Sequence, residues 1–178
     1  MNPTITTTSN RHAQHGGKYL TFSLGHEEYG VSILKVREII GYIEVTAVPG
    51  TPLYVKGVSN LRGQVISVVD LRTKFGMTPA QRTEQTCIIV VDIQFDGRRV
   101  NTGVIVDRVS EVLNIPAEDI EDTPSFSTSF DTSFIVGMGK VGQGVKILLD
   151  IDKVLTAREA ANLAVLSGAH AGQKAAAA

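Results

Sequence analysis

The side chains in this sequence that most readily bind metals or act as catalysts are four histidines and one cysteine. His12, His15 and His170 fall in the polar or alanine-rich ends of the chain, and His26 falls at a predicted turn. A metal site or an active site needs such groups to converge. No histidine has a partner at metal-binding spacing, so we expect no metal site and no catalytic residue.

The remaining candidates for chemistry have structural explanations. Cys87 lies in the apolar run Thr86–Val91, where a buried thiol behaves as a small hydrophobic side chain. Segment 137–144 (GMGKVGQG) has the composition of a nucleotide-binding loop, but turns account for its glycines. The chain lacks a phosphate-binding loop with lysine, a nucleophile elbow and an HExxH pattern. We therefore predict neither enzymatic activity nor a bound cofactor.

Charge and composition exclude other classes. The 178 residues include 17 Lys+Arg and 18 Asp+Glu, and 6% are aromatic with no Trp. A nucleic-acid-binding barrel needs a basic groove with stacking aromatic side chains, which this balance does not favour. No apolar run approaches the length of a membrane span, and residues 1–17 do not resemble a secretory signal. We expect a cytoplasmic protein without direct membrane insertion.

The first half of the ordered body reads mainly as strands. Tyr19–Leu24 and Glu28–Ser32 form a predicted hairpin. From Ile33 the apolar spacing changes to i, i+3, i+6, i+7, which predicts one or two turns of amphipathic helix up to Ile40. A short strand is predicted at Val45–Val48. Two further strands flank a two-residue turn at Gly63-Gln64.

The second half also reads mainly as strands, with strand-like segments at 86–93, 100–106, 109–115, 134–141 and 145–149. A C-terminal helix is predicted at 152–166. The N-terminal arm (1–17) and the Ala-rich tail (167–178) are both predicted to be disordered. Many short strands separated by Gly and Pro favour a mainly-β fold built from barrels over a parallel α/β sheet.

The body contains a weak internal duplication. Gly30-Val31 matches Gly103-Val104, 73 positions later, and segment 57–71 matches 137–151 without gaps, 80 positions later. We call these the first and second copies. Chance similarity between β segments is the alternative, but the glycine-to-aspartate spacing is the same in both copies. The seven extra residues of the second copy are expected within 118–131.

The copies differ at two positions that could bind a partner. Asn60 and Arg62 of the first copy align with Lys140 and Gly142 of the second. If the fold alone required Asn and Arg, both copies would keep them. An arginine on a rigid hairpin presents planar donors and an apolar stem, a combination enriched at protein interfaces.

A second candidate is the run Val36-Arg37-Glu38-Ile39, in which a charged pair interrupts an apolar stripe. A solvated helix face above core Val and Ile is an equally good explanation of this spacing.

These stretches carry a resemblance to a known family. Segments 33–39 (ILKVREI), 54–63 (YVKGVSNLRG) and 68–72 (VVDLR) closely resemble the signature of the bacterial chemotaxis coupling protein family, CheW. The likeness spans about residues 18–156. Ser67 departs from it, since the family usually has proline there, and we expect the change to affect local edge pairing only.

The resemblance implies two SH3-like five-stranded β-barrels, the first at about 18–84 and the second at about 85–151. It also implies an adaptor that links the cytoplasmic tips of chemoreceptors (methyl-accepting chemotaxis proteins) to the regulatory domain of the histidine kinase CheA. Output through pili or another non-flagellar pathway is the alternative. Carried over by motif, the partner-binding residues would be Val36, Glu38, Ile39, Lys56, Asn60, Arg62 and Gly63.

Overall fold

The computed structural model describes residues 14–124 and 132–155, which form two β sheets around a shared core. The strands in these ranges are β1 (Gly17–Leu24), β2 (Glu27–Ser32), β3 (Val36–Gly41), β4 (Val55–Leu61), β5 (Gln64–Asp70), β6 (Cys87–Phe95), β7 (Arg98–Val106), β8 (Arg108–Ile115), β9 (Ile120–Glu121), β10 (Ile135–Val141) and β11 (Gly144–Leu149). The helical segments are short: α1 (Leu71–Lys74), α2 (Ile151–Val154) and the 3-10 turns Ile33–Lys35 and Ala117–Asp119.

The two sheets have the same internal order. The first runs β8-β1-β2-β11-β10-β9 and the second runs β3-β6-β7-β5-β4. Neighbouring strands are antiparallel except for the pairs β2–β11 and β5–β7, which are parallel. The prediction of a mainly-β fold with two similar β units is confirmed, and the first sheet has a sixth strand in the two-residue β9.

Each sheet combines strands from both copies of the repeat. Hairpin β1–β2 pairs with strands of the second copy, and hairpin β6–β7 pairs with strands of the first. We call these two the exchanged hairpins. The sequential division into barrels at about 18–84 and 85–151 therefore does not match the sheets. Local patterns indicate where a strand lies, but they do not specify the distant strand with which it pairs.

The duplication itself is confirmed by strand register. In β4–β5, Val55 lies opposite Val69 and a bulge precedes Gly57. In β10–β11, Ile135 lies opposite Leu149 and a bulge precedes Gly137. Every pairing in one hairpin recurs 80 positions later in the other, so the copies share backbone geometry as well as apolar pattern.

A continuous apolar core joins the sheets. Leu20 and Phe22 of the first sheet pack with Val69 and Val91 of the second, and all four are buried. Four aromatic rings also stack in sequence, with centroid separations of 5.9, 5.8 and 5.3 Å: Phe22, Tyr29, Phe75 and Phe134. Each fully buried large apolar side chain contributes about 1.5–3 kcal/mol, so the shared core stabilises both sheets together.

Three local predictions need correction. The segment up to Ile40 forms one 3-10 turn and then strand β3, because alternate burial along Val36–Gly41 satisfies a sheet edge better than a helix face. The β4–β5 turn is Arg62-Gly63, one residue earlier than predicted. In place of a strand at Val45–Val48, a single bridge joins Thr46 to Val58.

Cys87 and Ser67 lie in environments that differ from those predicted. Cys87 is half-buried at the start of β6, less enclosed than predicted, and its thiol donates to the carbonyl of Gln85 at 3.0 Å. Ser67 is fully buried on β5, an interior strand between β4 and β7, so its effect is not on an edge.

Several predictions concern the ends of the chain. The tail (167–178) lies outside the described residues, as does the N-terminal arm except for residues 14–17, where β1 begins. Only the start of the predicted helix 152–166 is described, as part of α2. No helix in the described ranges has the length and hydrophobicity that crossing a membrane requires.

Candidate functional site

The β4–β5 turn holds its two central residues in the left-handed backbone region. Arg62 has φ 51° and Gly63 has φ 87°, the geometry of a type I′ hairpin. The Asn60 side chain stabilises the turn, because its Oδ1 accepts a hydrogen bond from the Gly63 N–H at 2.8 Å. We call Asn60, Arg62 and Gly63 the Arg62 hairpin.

Arg62 forms a two-pronged ion pair with Glu38. Its Nη1 lies 2.9 Å from Glu38 Oε1, and its Nη2 lies 2.8 Å from Oε2. Glu38 is on β3 and Arg62 follows β4, and these strands are the two ends of one sheet. The sheet must therefore curve until its ends approach. The arginine side chain remains 74% exposed in this pair.

Strand β3 presents alternating faces beside this pair. Val36 packs against the shared core, and Ile40 packs against a smaller apolar cluster of the second sheet. Arg37 and Ile39 point the other way, and Ile39 is 44% exposed. Of the two apolar side chains in the predicted partner-binding set, Ile39 lies on the surface, while Val36 mainly supports the strand from inside.

Lys56 lies apart from the Arg62 hairpin. It is four residues before Asn60 on β4, which corresponds to about 13 Å along a strand. Its Nζ is 4.0 Å from Asp70 Oδ2, and Asp70 also caps α1 through a hydrogen bond from the Arg72 N–H. The structure thus brings Glu38 to the Arg62 hairpin, leaves Ile39 exposed on the opposite face of β3, and places Lys56 at the other end of β4.

Sequence reasoning missed several exposed groups. Leu34 and Leu53 are 89% and 86% exposed, the largest exposure among the large apolar side chains described. Leu34 falls outside the predicted apolar stripe of 33, 36, 39 and 40. Its position off that stripe is the sequence signal that indicates an exposed leucine. Arg37 pairs with Asp92 on β6 at 3.4 Å, a contact that needed the strand pairing to be known.

The corresponding hairpin of the second copy is built differently. Gly142 occupies the position of Arg62, with φ 59°. Lys140, at the position of Asn60, pairs with Glu121 at 2.9 Å, and this hydrogen bond, helped by the charge of Glu121, raises the pKa of Lys140. The first-copy hairpin therefore presents an arginine guanidinium at the position where the second-copy hairpin has glycine.

The arrangement suits recognition of another protein. Within residues 14–124 and 132–155, no three His, Cys, Asp or Glu side chains lie close enough to bind a metal ion. The rigid turn and the exposed guanidinium offer charge and planar donors, and the exposed isoleucine on β3 offers apolar surface, features that are typical of interface anchors. Fold and site together define a mainly-β module with a polar hairpin at its surface.

Comparison with known proteins places this module in a family. Residues 18–159 match the family model of the CheW-like domain, so the chain belongs to the CheW-like family. It is 44% identical over 146 residues to the chemotaxis protein CheW of Klebsiella aerogenes, covering 82% of this chain and 86% of that protein. It is 36% identical to the CheW of Rhizobium meliloti, covering 86% and 97%.

A solved structure supports the same assignment. The scaffolding protein TtCheW from Thermoanaerobacter tengcongensis superposes with a TM-score of 0.71 at 34% identity, covering 81% of this chain and 97% of that one. Sequence and fold therefore agree on a chemotaxis scaffold of the CheW type, a family that is not known for catalysis.

Proposed function

We propose that this chain is an adaptor that binds the cytoplasmic tips of chemoreceptors and the regulatory domain of the histidine kinase CheA, so that receptor state controls kinase activity. It acts in the cytoplasm and is recruited to membrane-associated receptor arrays, without catalysing a reaction. The relatives named chemotaxis protein CheW and the structural similarity to the scaffolding protein TtCheW support this assignment. These names favour chemotaxis over another output pathway.

The backbone at Arg62 is the observation that carries the proposal. A non-glycine residue in the left-handed region costs about 1–2 kcal/mol. An exposed ion pair such as Arg62–Glu38 returns about 0–1 kcal/mol. The arginine therefore does not improve stability, and strained residues of this kind concentrate at functional sites.

The partner surface we propose has a division of roles. Arg62 and Glu38 exchange their mutual ion pair for contacts with the bound protein, and Ile39 adds apolar contact. Asn60 and Gly63 hold the turn. Val36 supports β3 and Lys56 extends the surface along β4, which completes the proposed set Val36, Glu38, Ile39, Lys56, Asn60, Arg62 and Gly63.

Kinase reconstitution tests the proposal. Autophosphorylation of CheA is measured with receptor signalling fragments, with and without this chain. We expect the chain to increase phosphorylation and to make it respond to receptor state. If neither changes while the chain is folded and in excess, it serves another system.

A matched pair of variants tests the surface. Arg62→Ala should weaken binding to receptor or kinase, whereas Arg98→Ala should not. Arg98 is an exposed arginine next to another hairpin turn, Asp96-Gly97, whose residues also have positive φ. Folding of both variants is checked by circular dichroism. Full retention of both interactions by folded Arg62→Ala would reject the proposed surface.

A further inference from the structure

Leu34 lies almost fully in solvent, at the edge of a cavity beside the first sheet. It is 89% exposed, although both neighbours in its 3-10 turn, Ile33 and Lys35, are partly buried. The cavity has a volume of about 440 Å³, and its other walls include the buried Leu149 and residues 14–18. We call Leu34 and this cavity the Leu34 surface. A single exposed leucine is ordinary, so the equivalent place elsewhere in the fold must show whether it is normally covered.

The repeat places Asp107 where Leu34 would be. The pairing of β2 with β11 and that of β7 with β5 have the same register, with offsets of 73 residues for β2 and β7 and 80 residues for β11 and β5. Leu34 therefore corresponds to Asp107, and Asp152 at the start of α2 corresponds to Arg72 at the start of α1. The Asp107 side chain is only 32% exposed. One of the two equivalent places is thus shielded from solvent.

The shield over Asp107 is the segment that joins the two copies. We call residues 76–86, between α1 and β6, the linker. Arg72 holds its start, because Nε and Nη2 donate to the Thr78 carbonyl at 3.1 and 3.0 Å. The Nη1 of the same guanidinium lies 2.5 Å from Asp107, and Ala80 borders one cavity with Asp107. One arginine thus fixes both the linker and the residue that the linker shields.

The Leu34 surface has one half of an equivalent shield within the described residues. The end of the linker, 83–86, leads into β6 and borders the cavity at Asp107, and residues 14–16 lead into β1 and border the cavity at Leu34. The start of the linker follows α1, so its equivalent is the stretch that follows α2. That stretch, 156–166, lies outside the described residues. We call it the C-terminal segment.

The two places differ in how they can hold such a segment. Asp152, at the position of Arg72, is an acceptor and cannot donate to a backbone carbonyl. Its oxygens already bind Lys35 at 2.6 Å and the Gln94 N–H at 2.8 Å. Leu34 puts an apolar side chain at the position of the Asp107 carboxylate. The polar attachment at Asp107 is therefore replaced at Leu34 by an apolar contact.

The sequence of the C-terminal segment suits an apolar contact. Read as a helix, 156–166 (TAREAANLAVL) has one apolar face, made of Ala157, Ala160, Ala161, Leu163 and Ala164. Arg158, Glu159 and Asn162 lie on the opposite face. The segment begins four residues after Asp152, which contacts the turn that carries Leu34. It therefore starts within reach of the Leu34 surface.

We propose that the C-terminal segment packs as an amphipathic helix on the Leu34 surface, where it replaces the cover that the linker supplies at Asp107. Its alanines let the helix approach closely, so that Leu34 is buried beneath them. The chain leaves α1 and α2 differently, with ψ 8° at Phe75 and 141° at Leu155, so the equivalence concerns the surface covered and not the path. Docking secures the turn that leads into β3, whichever partners the protein binds.

Methyl NOE spectroscopy of the full chain tests the contact directly. We expect cross-peaks from the Leu34 methyl groups to Ala160, Ala161 or Leu163. Leu53, which is 86% exposed, is the internal control and should show none to the C-terminal segment. Absence of the Leu34 cross-peaks would overturn the proposal.

The same spectra separate this occupant from two others. Cross-peaks from Leu34 to residues 1–13 in place of the C-terminal segment would assign the surface to the N-terminal arm. Cross-peaks seen only between differently labelled chains would assign it to a second copy of the protein. Either result overturns the proposal.

Two matched substitutions test the apolar face. Ala160→Glu puts a carboxylate on that face, and Asn162→Glu puts one on the polar face. We expect Ala160→Glu to remove the Leu34 cross-peaks and Asn162→Glu to keep them. Retention of the cross-peaks in Ala160→Glu, or their equal loss in both variants, contradicts the proposed orientation of the helix.

A second pair of variants measures the burial of Leu34 through stability. Leu34→Ser should raise the equilibrium constant for unfolding in urea about tenfold, because the native state loses a covered leucine. Leu53→Ser, at a position of nearly equal exposure, should change it by less than about twofold. Equal effects of the two substitutions would show that Leu34 is not covered, and would overturn the proposal.

Discussion

Arg62 and Gly142 occupy equivalent positions in two hairpins of the same register, with φ 51° and 59°. Glycine adopts this backbone without steric cost, whereas arginine does not. The second copy therefore shows what the first-copy turn would contain if stability alone determined it.

Replacement of Arg62 by glycine and by alanine separates strain from the ion pair. Both variants lose the contact with Glu38, but only glycine relieves the strained backbone. We expect Arg62→Gly to be more stable than Arg62→Ala by about 1 kcal/mol in urea unfolding. Both should lose partner binding. Equal stability of the two variants would contradict the assignment of strain to Arg62.

Asn60 should matter to the turn more than to the partner. Asn60→Ala leaves the Gly63 N–H without its acceptor and should cost about 1 kcal/mol in unfolding free energy. Asn60→Asp keeps an acceptor and should lose less. If Asn60→Ala weakens binding with no loss of stability, Asn60 contacts the partner directly.

Gly57 and Gly137 are equivalent, yet alanine should be tolerated unequally. A Cβ on Gly57, which has φ 141°, would overlap the Thr46 carbonyl oxygen. A Cβ on Gly137 would lie 2.8 Å from the Glu121 carbonyl oxygen. We expect Gly57→Ala to destabilise the protein by about 3 kcal/mol or more, and Gly137→Ala by clearly less. Thermal unfolding of the two variants measures the difference, and equal losses would contradict it.

Adjacent isoleucines on β3 should have opposite effects. Ile40 is partly buried against an apolar cluster, and Ile40→Ala should cost about 2 kcal/mol in stability. Ile39 is 44% exposed, and Ile39→Ala should change stability by less than about 0.5 kcal/mol. Only Ile39→Ala should weaken partner binding while the protein stays folded, which titration with a receptor fragment or the kinase regulatory domain measures. Unchanged binding would remove Ile39 from the surface.

Sequence reasoning located most strands because their turns are marked. Asp96-Gly97 and the glycine near Arg62 identified hairpins, and the repeat identified two equivalent units. The sequence predicts a helix over Ile33–Ile40 because its apolar residues are spaced at i, i+3, i+6 and i+7. Its β-branched residues, Val36, Ile39 and Ile40, favoured a strand, and alternate burial shows that this preference prevailed.

The candidate site was predictable only in part. Arg62 stood out because the second copy lacks it, and this required no structure. The ion pair between Arg62 and Glu38 depends on the curvature of the sheet, and the left-handed backbone of Arg62 depends on the position of the turn. A local sequence pattern shows neither the curvature nor the turn position. Exchange of the hairpins was invisible for the same reason, since both copies carry similar apolar faces.

The exchanged hairpins also make the chain indivisible. A cut after residue 84 would give two fragments, and neither would contain a complete sheet, because each would carry the opening strands of the other. The fragments would form complete sheets only by associating with each other, as the two halves of a split reporter protein do. The two copies therefore form one obligate unit rather than two independent modules.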